Sequence, residues 1–334
     1  MAKKIKDTDY LVISARIKAM ETGLLTRERM EQVLEARTDE EALKILQDCG
    51  YPELDAADPE AMDAALARAR EETLSDLADG TPDPRYMDVF KLKYDYHNVK
   101  ALLKAEAMET GADHMLMDMG RVPAAELAEA LRSGDLDGLP PMLASAAAEA
   151  REVLQTTRDP QLCDIVLDRW YYRDMDAVAV ETGSAFLRGY VRSQIDAANL
   201  RTLVRTIRMG KNEEFLRGVL FEGGEIPLDG ILAVSAARGG GLTELYAPTP
   251  FAPAAEAGSQ ALQGGPLTEF EKRCDDVVGE YLAGAQFVPF GEAPLVGYLA
   301  ARETEYTNLR ILLMGRAAGI SPEIIRSRLR ASYA

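Results

Sequence analysis

The nonapeptide Glu305-Tyr306-Thr307-Asn308-Leu309-Arg310-Ile311-Leu312-Leu313 has two earlier counterparts in this chain. They are Asp196-Ala197-Ala198-Asn199-Leu200-Arg201-Thr202-Leu203-Val204 and Asp95-Tyr96-His97-Asn98-Val99-Lys100-Ala101-Leu102-Leu103. The shared form is acid-x-x-Asn-apolar-cation-x-Leu-apolar. The three Asn residues stand 101 and 109 positions apart, the spacing of a long internal repeat. Counted from the acid, apolar residues fall at +4, +7 and +8 in all three copies, one face of a 3.6-residue period. Upstream, Phe186, Leu187, Tyr190 and Val191 match Leu295, Val296, Leu299 and Ala300. The first copy offers Tyr86, Val89 and Phe90 in looser register. Each copy is therefore expected on a long helix with one buried stripe.

The acid and the Asn are three residues apart, so they lie beside that stripe. The cation sits roughly 140° around the helix from the acid at about 100° per residue. It is out of reach of its own acid at the usual three- or four-residue spacing, so its expected partner is another helix or water. Asp95, Asn98 and Lys100, Asp196, Asn199 and Arg201, and Glu305, Asn308 and Arg310 are read as a repeated structural motif. They form a half-buried polar lock, preferred to a catalytic group or a partner contact. Buried amides must be hydrogen-bonded.

Working outward, the rest of the chain is also helical. Helices are expected at 10–21, around Met30–Leu34, and after a capping box from Thr38 to Glu41. Others are expected at about 59–77, 85–108, 161–182, 184–209 and 267–283, with two short ones inside 123–157 and another ending at Leu220. Ser321-Pro322 reads as a helix start, with the last helix at 323–332. Residues 111–121 read as a soft, Met-rich linker. Residues 223–265, rich in Gly, Pro, Ala and Ser, read as a flexible connector in which only 228–237 has helical character. Trp170-Tyr171-Tyr172 reads as core packing with polar tips at the surface. No strands are expected. The repeats divide the chain at 1–120, 121–222 and 223–334, each near a common domain size.

Composition narrows function. The 334 residues carry 55 Asp and Glu against 38 Lys and Arg, a net charge of −17 that disfavours nucleic-acid phosphates and anionic lipids. A basic protein surface is the better complement, with simple solubility as the other reading of the charge. Three separated cysteines, Cys49, Cys163 and Cys274, offer neither a disulfide framework nor a zinc pattern and fit a reducing compartment. The start, Met1-Ala-Lys-Lys-Ile-Lys, leads into no apolar core and is not read as a signal peptide. No apolar run reaches the 18 or so residues of a spanning helix.

Chemistry is not written into the motifs. The two histidines, His97 and His114, belong to no zinc-protease signature. Gly239-Gly240-Gly241 is followed by no Lys-Ser/Thr and is not a phosphate loop. Asp275-Asp276 opens like the magnesium motif of helical terpene synthases, but the third acid position is Gly279. No catalytic residue, cofactor or metal site is expected.

Tyr10 to Glu21, then Leu24-Leu25-Thr26, Thr38-x-x-Glu41-Ala42-Leu43 and Tyr51 resemble the N-terminal module of the C-subunit family of V-type ATPases, which includes the d subunit of the eukaryotic vacuolar enzyme. Lys93 to Lys100, Ile195 to Arg201, Glu303 to Arg310 and Arg326-x-Arg328-Leu329 are similar to that family's other signatures. The resemblance implies an all-α fold of three pseudo-symmetric helical domains forming a funnel. It implies a non-catalytic central-stalk component of a prokaryotic V-type rotary ATPase, a socket coupling the rotor shaft to the membrane proteolipid ring. Its partners would be the rotor stalk subunits and that ring, at the cytoplasmic face of the membrane. The alternative reading is a cytosolic helical-repeat adaptor for another assembly; a third is a stand-alone helical enzyme.

Overall fold

The computed structural model describes residues 5–52, 54, 58–331 and 333. Among them the regular structure is helical, without strands. The helices are α1 (Leu11–Glu21), α2 (Arg27–Glu35), α3 (Asp39–Asp48), α4 (Pro59–Ala78), α5 (Arg85–Met108), α6 (Ala124–Ser133), α7 (Pro141–Thr157) and α8 (Pro160–Thr182). They continue with α9 (Ala185–Arg208), α10 (Glu213–Val219), α11 (Leu228–Ala236), α12 (Leu242–Tyr246), α13 (Ala252–Leu262), α14 (Leu267–Ala283), α15 (Glu292–Ala317) and α16 (Pro322–Arg328). The three motif copies lie on α5, α9 and α15. The chain forms two compact units, one from Met1–Pro84 with Tyr246–Ala334, the other from Arg85–Leu245.

In the Arg85–Leu245 unit, α5 is buried nearly all round, from Tyr86 to Ala105. It packs against α6, α7 and α8. Two residues join α7 to α8. Arg158 turns left-handed (φ 55°) and Asp159 caps α8 through Gln161 N, with Pro160 in the first turn. A link this short makes the two helices antiparallel neighbours. Ser184 caps α9 through Leu187 N after the left-handed Gly183, and α9 packs on α8, α10 and α11.

In the other unit α15 is central. Its first half packs on α1 and α14. Its second half sends Tyr306, Leu309, Leu312 and Leu313 into a core with Met30, Val33, Leu46 and Met62 of α2–α4. Gly315 allows α16 to lie close, since a Cβ there would meet Ile325 Cδ1 at 2.8 Å. Thr38 caps α3 through Glu41 N (3.1 Å). The Glu41 carboxylate reaches one residue further back than a capping box places it, to Arg37 N (2.8 Å).

Each motif helix thus packs on short helices that follow it in sequence: α5 on α6 and α7, α9 on α10 and α11. Compactness and repetition therefore draw their lines in different places, 84/85 and 245/246 against 120/121 and 222/223.

Residues 223–265 depart from the expected connector. They carry α11, α12 and α13, and Ile231, Tyr246, Ala254 and Ala255 are fully buried. Ala is the strongest helix former, and Pro253 in the first turn starts α13 rather than breaking it. The last helix also ends early, at Arg328, and Leu329 turns extended (ψ 135°). The expected end at Ser332 lies outside the described residues.

Candidate functional site: three buried latches

The repeated Asn residues are fully buried. A side-chain amide carries the same donor and acceptor as a peptide group. Each Asn uses both on the backbone of one residue about twenty positions downstream. Asn98 Nδ2 donates to Met117 O (2.8 Å) and Oδ1 accepts Met117 N (2.9 Å). Asn199 makes the same pair with Phe221 (2.8 and 2.9 Å). Asn308 makes it with Arg330 (3.2 and 2.9 Å). That last pair explains why α16 stops: the Arg330 backbone is claimed by Asn308 instead of by the helix.

The acids sit one turn earlier and are also buried, at 0%, 3% and 5% exposure for Asp95, Asp196 and Glu305. They too hold backbone N–H groups. Asp95 Oδ1 accepts from Val122 N (3.2 Å). Asp196 accepts from Glu225 N and Ile226 N (3.0 and 3.1 Å). Glu305 Oε2 accepts from Leu25 N (2.5 Å). The captured residues open α6, α11 and α2, so each acid fixes the entry of a short helix.

This side of the latch has a sequence signal of its own, which the nonapeptide alone does not reveal. Gly23-Leu24-Leu25, Gly120-Arg121-Val122 and Gly224-Glu225-Ile226 share a Gly-x-apolar form, each one residue before a Thr or Pro. At Gly120 and Gly224 a Cβ would overlap Oδ1 of Asp95 and Asp196. Only glycine leaves room for the carboxylate. The stretch 111–121, expected to be a soft linker, is therefore held at Met117 and Arg121 and, just past its end, at Val122.

The copies differ in how charge is balanced. In the first, Arg121 Nε donates to Asp95 (2.8 Å) while its other nitrogens hold Asp174 (3.2 and 2.7 Å). Tyr96 OH donates to Asp174 as well (3.2 Å). In the third, Arg302 and Tyr51 OH both donate to Glu305 Oε1, and Arg302 also donates to Tyr306 OH (2.9 Å). In the second, Asp196 rests on the two backbone donors. Burial pushes all three acids above the usual carboxylate range; Arg121, Arg302 and the backbone donors offset part of that. Burial works against the charge of Arg121, but Asp174 and Asp95 together raise its pKa.

Two of the motif cations pair across helices. Lys100 on α5 meets Asp168 on α8 (2.5 Å), and Arg310 on α15 meets Asp63 on α4 (2.7 and 3.1 Å). Arg201 is half-buried on α9. The structure thus brings acid and Asn together on one strip of helix and, in the first and third copies, turns the cation to a neighbouring helix.

Chemically, these carboxylates are spent on backbone N–H groups and fixed cations. Among the described residues no group of three or more His, Cys, Asp or Glu is placed to hold a metal ion. No described helix is long and apolar enough to cross a membrane.

The family described as ATP synthase (C/AC39) subunit matches residues 13–328. The chain is 25% identical over 328 residues to the C subunit of the V-type sodium ATPase of Enterococcus hirae, covering 97% of this chain and 99% of that protein. It is 25% identical over 346 residues to the C subunit of the A-type ATP synthase of Methanocaldococcus jannaschii (96% and 86% covered). It is 27% identical over 337 residues to that of Thermococcus gammatolerans (96% and 90%). A match over residues 13–328 makes the chain a member of the ATP synthase (C/AC39) subunit family.

Proposed function

We propose that this chain is the non-catalytic central-stalk subunit of a prokaryotic V-type rotary ATPase or ATP synthase. In this reading it is the socket that couples the rotor shaft to the membrane proteolipid ring for ATP-linked ion transport. The observation that carries the reading is the family match over residues 13–328, in a chain whose buried acids serve backbone capture rather than catalysis. The three repeats, 1–120, 121–222 and 223–334, would act as pseudo-symmetric domains of a funnel. Asp95, Asn98 and Lys100 and their counterparts would keep that form under load. The chain would sit peripherally at the cytoplasmic face, held there by its partners. Its excess of acid suits a basic stalk surface.

Affinity purification of the tagged chain from its native cells tests this. Stalk and proteolipid subunits are the expected companions. Recovery of a different assembly without them would replace the socket by an adaptor. The purified chain alone is expected to hydrolyse no ATP.

A further inference from the structure

A line of aromatic rings connects the first and second latches of the Arg85–Leu245 unit. Tyr96, next to Asp95 on α5, meets Tyr171 edge-on with ring centroids 5.7 Å apart. Tyr171 meets Tyr172 at 5.0 Å, and Tyr172 meets Phe221 at 4.5 Å. Phe221 is the residue whose backbone Asn199 holds. At the other end, the Tyr96 hydroxyl and the Arg121 guanidinium share Asp174, and Arg121 also holds Asp95. The two latches are thereby joined without a gap.

We propose that this aromatic ladder makes the first and second latches open and close as a coupled pair. The middle of the ladder is stiff, because Tyr171, Tyr172 and Asp174 lie within one turn of α8. Its ends are parts of the latches themselves. The Phe221 backbone cannot leave Asn199 without shifting the ring that packs on Tyr172. Arg121 cannot leave Asp95 without disturbing Asp174 and the Tyr96 hydroxyl. Packed rings of this kind resist gradual deformation, so a displacement at one end is passed on. Coupling of this sort is reciprocal: loosening either latch must loosen the other by the same factor.

The latches carry their own reporters. Met117 N and Phe221 N are donors to Asn98 and Asn199, so their hydrogen-exchange rates report each latch separately. The buried Ala147 on α7 serves as the reference for opening of the whole unit. In the full chain, Asn98→Ala is expected to speed exchange at Phe221 at least about threefold beyond any change at Ala147. Asn199→Ala should do the same at Met117. Adding Tyr171→Leu should remove that excess, while Tyr171→Phe, which keeps the ring, should retain it. If the Leu variant does not fold, Tyr172→Leu takes its place. An Asn98→Ala chain in which Phe221 exchanges no faster than Ala147 predicts would overturn the coupling. An excess that survives loss of the Tyr171 ring would overturn the ladder as its route.

Discussion

Glu305 holds the backbone N–H of Leu25, 280 residues earlier in the chain. In the other two copies the acid holds a residue downstream, Val122 and Ile226. The third copy does the same job by going back to the start. Leu25 stands to α2 as Val122 stands to α6 and Ile226 to α11. Capture therefore runs forward along the chain from α5 and α9 and backward from α15.

The amide pairs should matter for stability. Replacing Asn199 by Leu strands a buried N–H and C=O of Phe221, at about 1–3 kcal/mol for each group left unpaired. Chemical denaturation of Asn199→Leu should show a loss in that range. An unchanged midpoint would mean that the Phe221 backbone finds other partners.

The three glycines should respond differently. Gly120→Ala and Gly224→Ala place a Cβ on a buried carboxylate oxygen, and overpacking of that kind costs about 1–3 kcal/mol. At Gly23 the nearest atom to a Cβ is Met20 O at 3.4 Å, ordinary contact. Gly23→Ala should be within about 0.5 kcal/mol of the parent. Thermal melts of the three variants side by side decide this.

The buried acids predict a pH dependence. Burial holds Asp95, Asp196 and Glu305 above their ordinary values, so the folded chain binds these protons more tightly than the unfolded one. Their contribution to stability therefore falls as pH rises from the ordinary carboxylate range, about 4, through the folded values, and is regained on acidification across that window. Glu31 runs the opposite way: Arg326 holds it below its ordinary value, and that contribution is lost only at still lower pH. Urea midpoints should rise on acidification toward the ordinary carboxylate range. Asp196→Asn, which cannot titrate, should show a smaller rise; an equal rise would assign the effect to the general acid excess.

Arg121 and Arg310 both pair with acids but should differ sharply on substitution. The Arg121 side chain is 13% exposed and bridges two buried carboxylates. Arg121→Met leaves both without their cation, a loss of about 3–5 kcal/mol. The Arg310–Asp63 pair is 58% and 45% exposed, and Arg310→Ala should cost under about 1 kcal/mol. Matching losses in the two variants would contradict this ranking.

Binding to a basic stalk surface should weaken with salt through the on-rate. The net charge of −17 steers encounter, and charges more than about 10 Å apart are screened at about 0.1 M salt. Surface plasmon resonance at rising salt should show a slower on-rate and a steadier off-rate. A flat on-rate would remove steering from the account.

Much of this was legible in the residues. The apolar stripes of α5, α9 and α15 follow from period, and the helix start at Thr38 from its capping residue. The spacing of acid and Asn put them beside those stripes. What they hold was harder to see, because Met117, Phe221 and Arg330 are captured by their backbones, and backbone groups leave no residue signature. Only Gly120 and Gly224, cleared for a carboxylate, leave one. Residues 223–265 read as loose from their joint Ala and Gly content, although Ala builds helices and Gly ends them. Arg121 closes the stretch read as a soft linker and is a bridge, since nothing near it in sequence names Asp174.

The forward packing of the motif helices also bears on how this molecule can be cut. Excising residues 121–222 would leave α6, α7 and α8 without α5, the helix on which all three pack. A fragment meant to fold alone should instead begin at Arg85, so that it brings its own spine. The N-terminal seam of this unit, for dissection, grafting or segmental labelling, therefore runs just ahead of α5, not behind it.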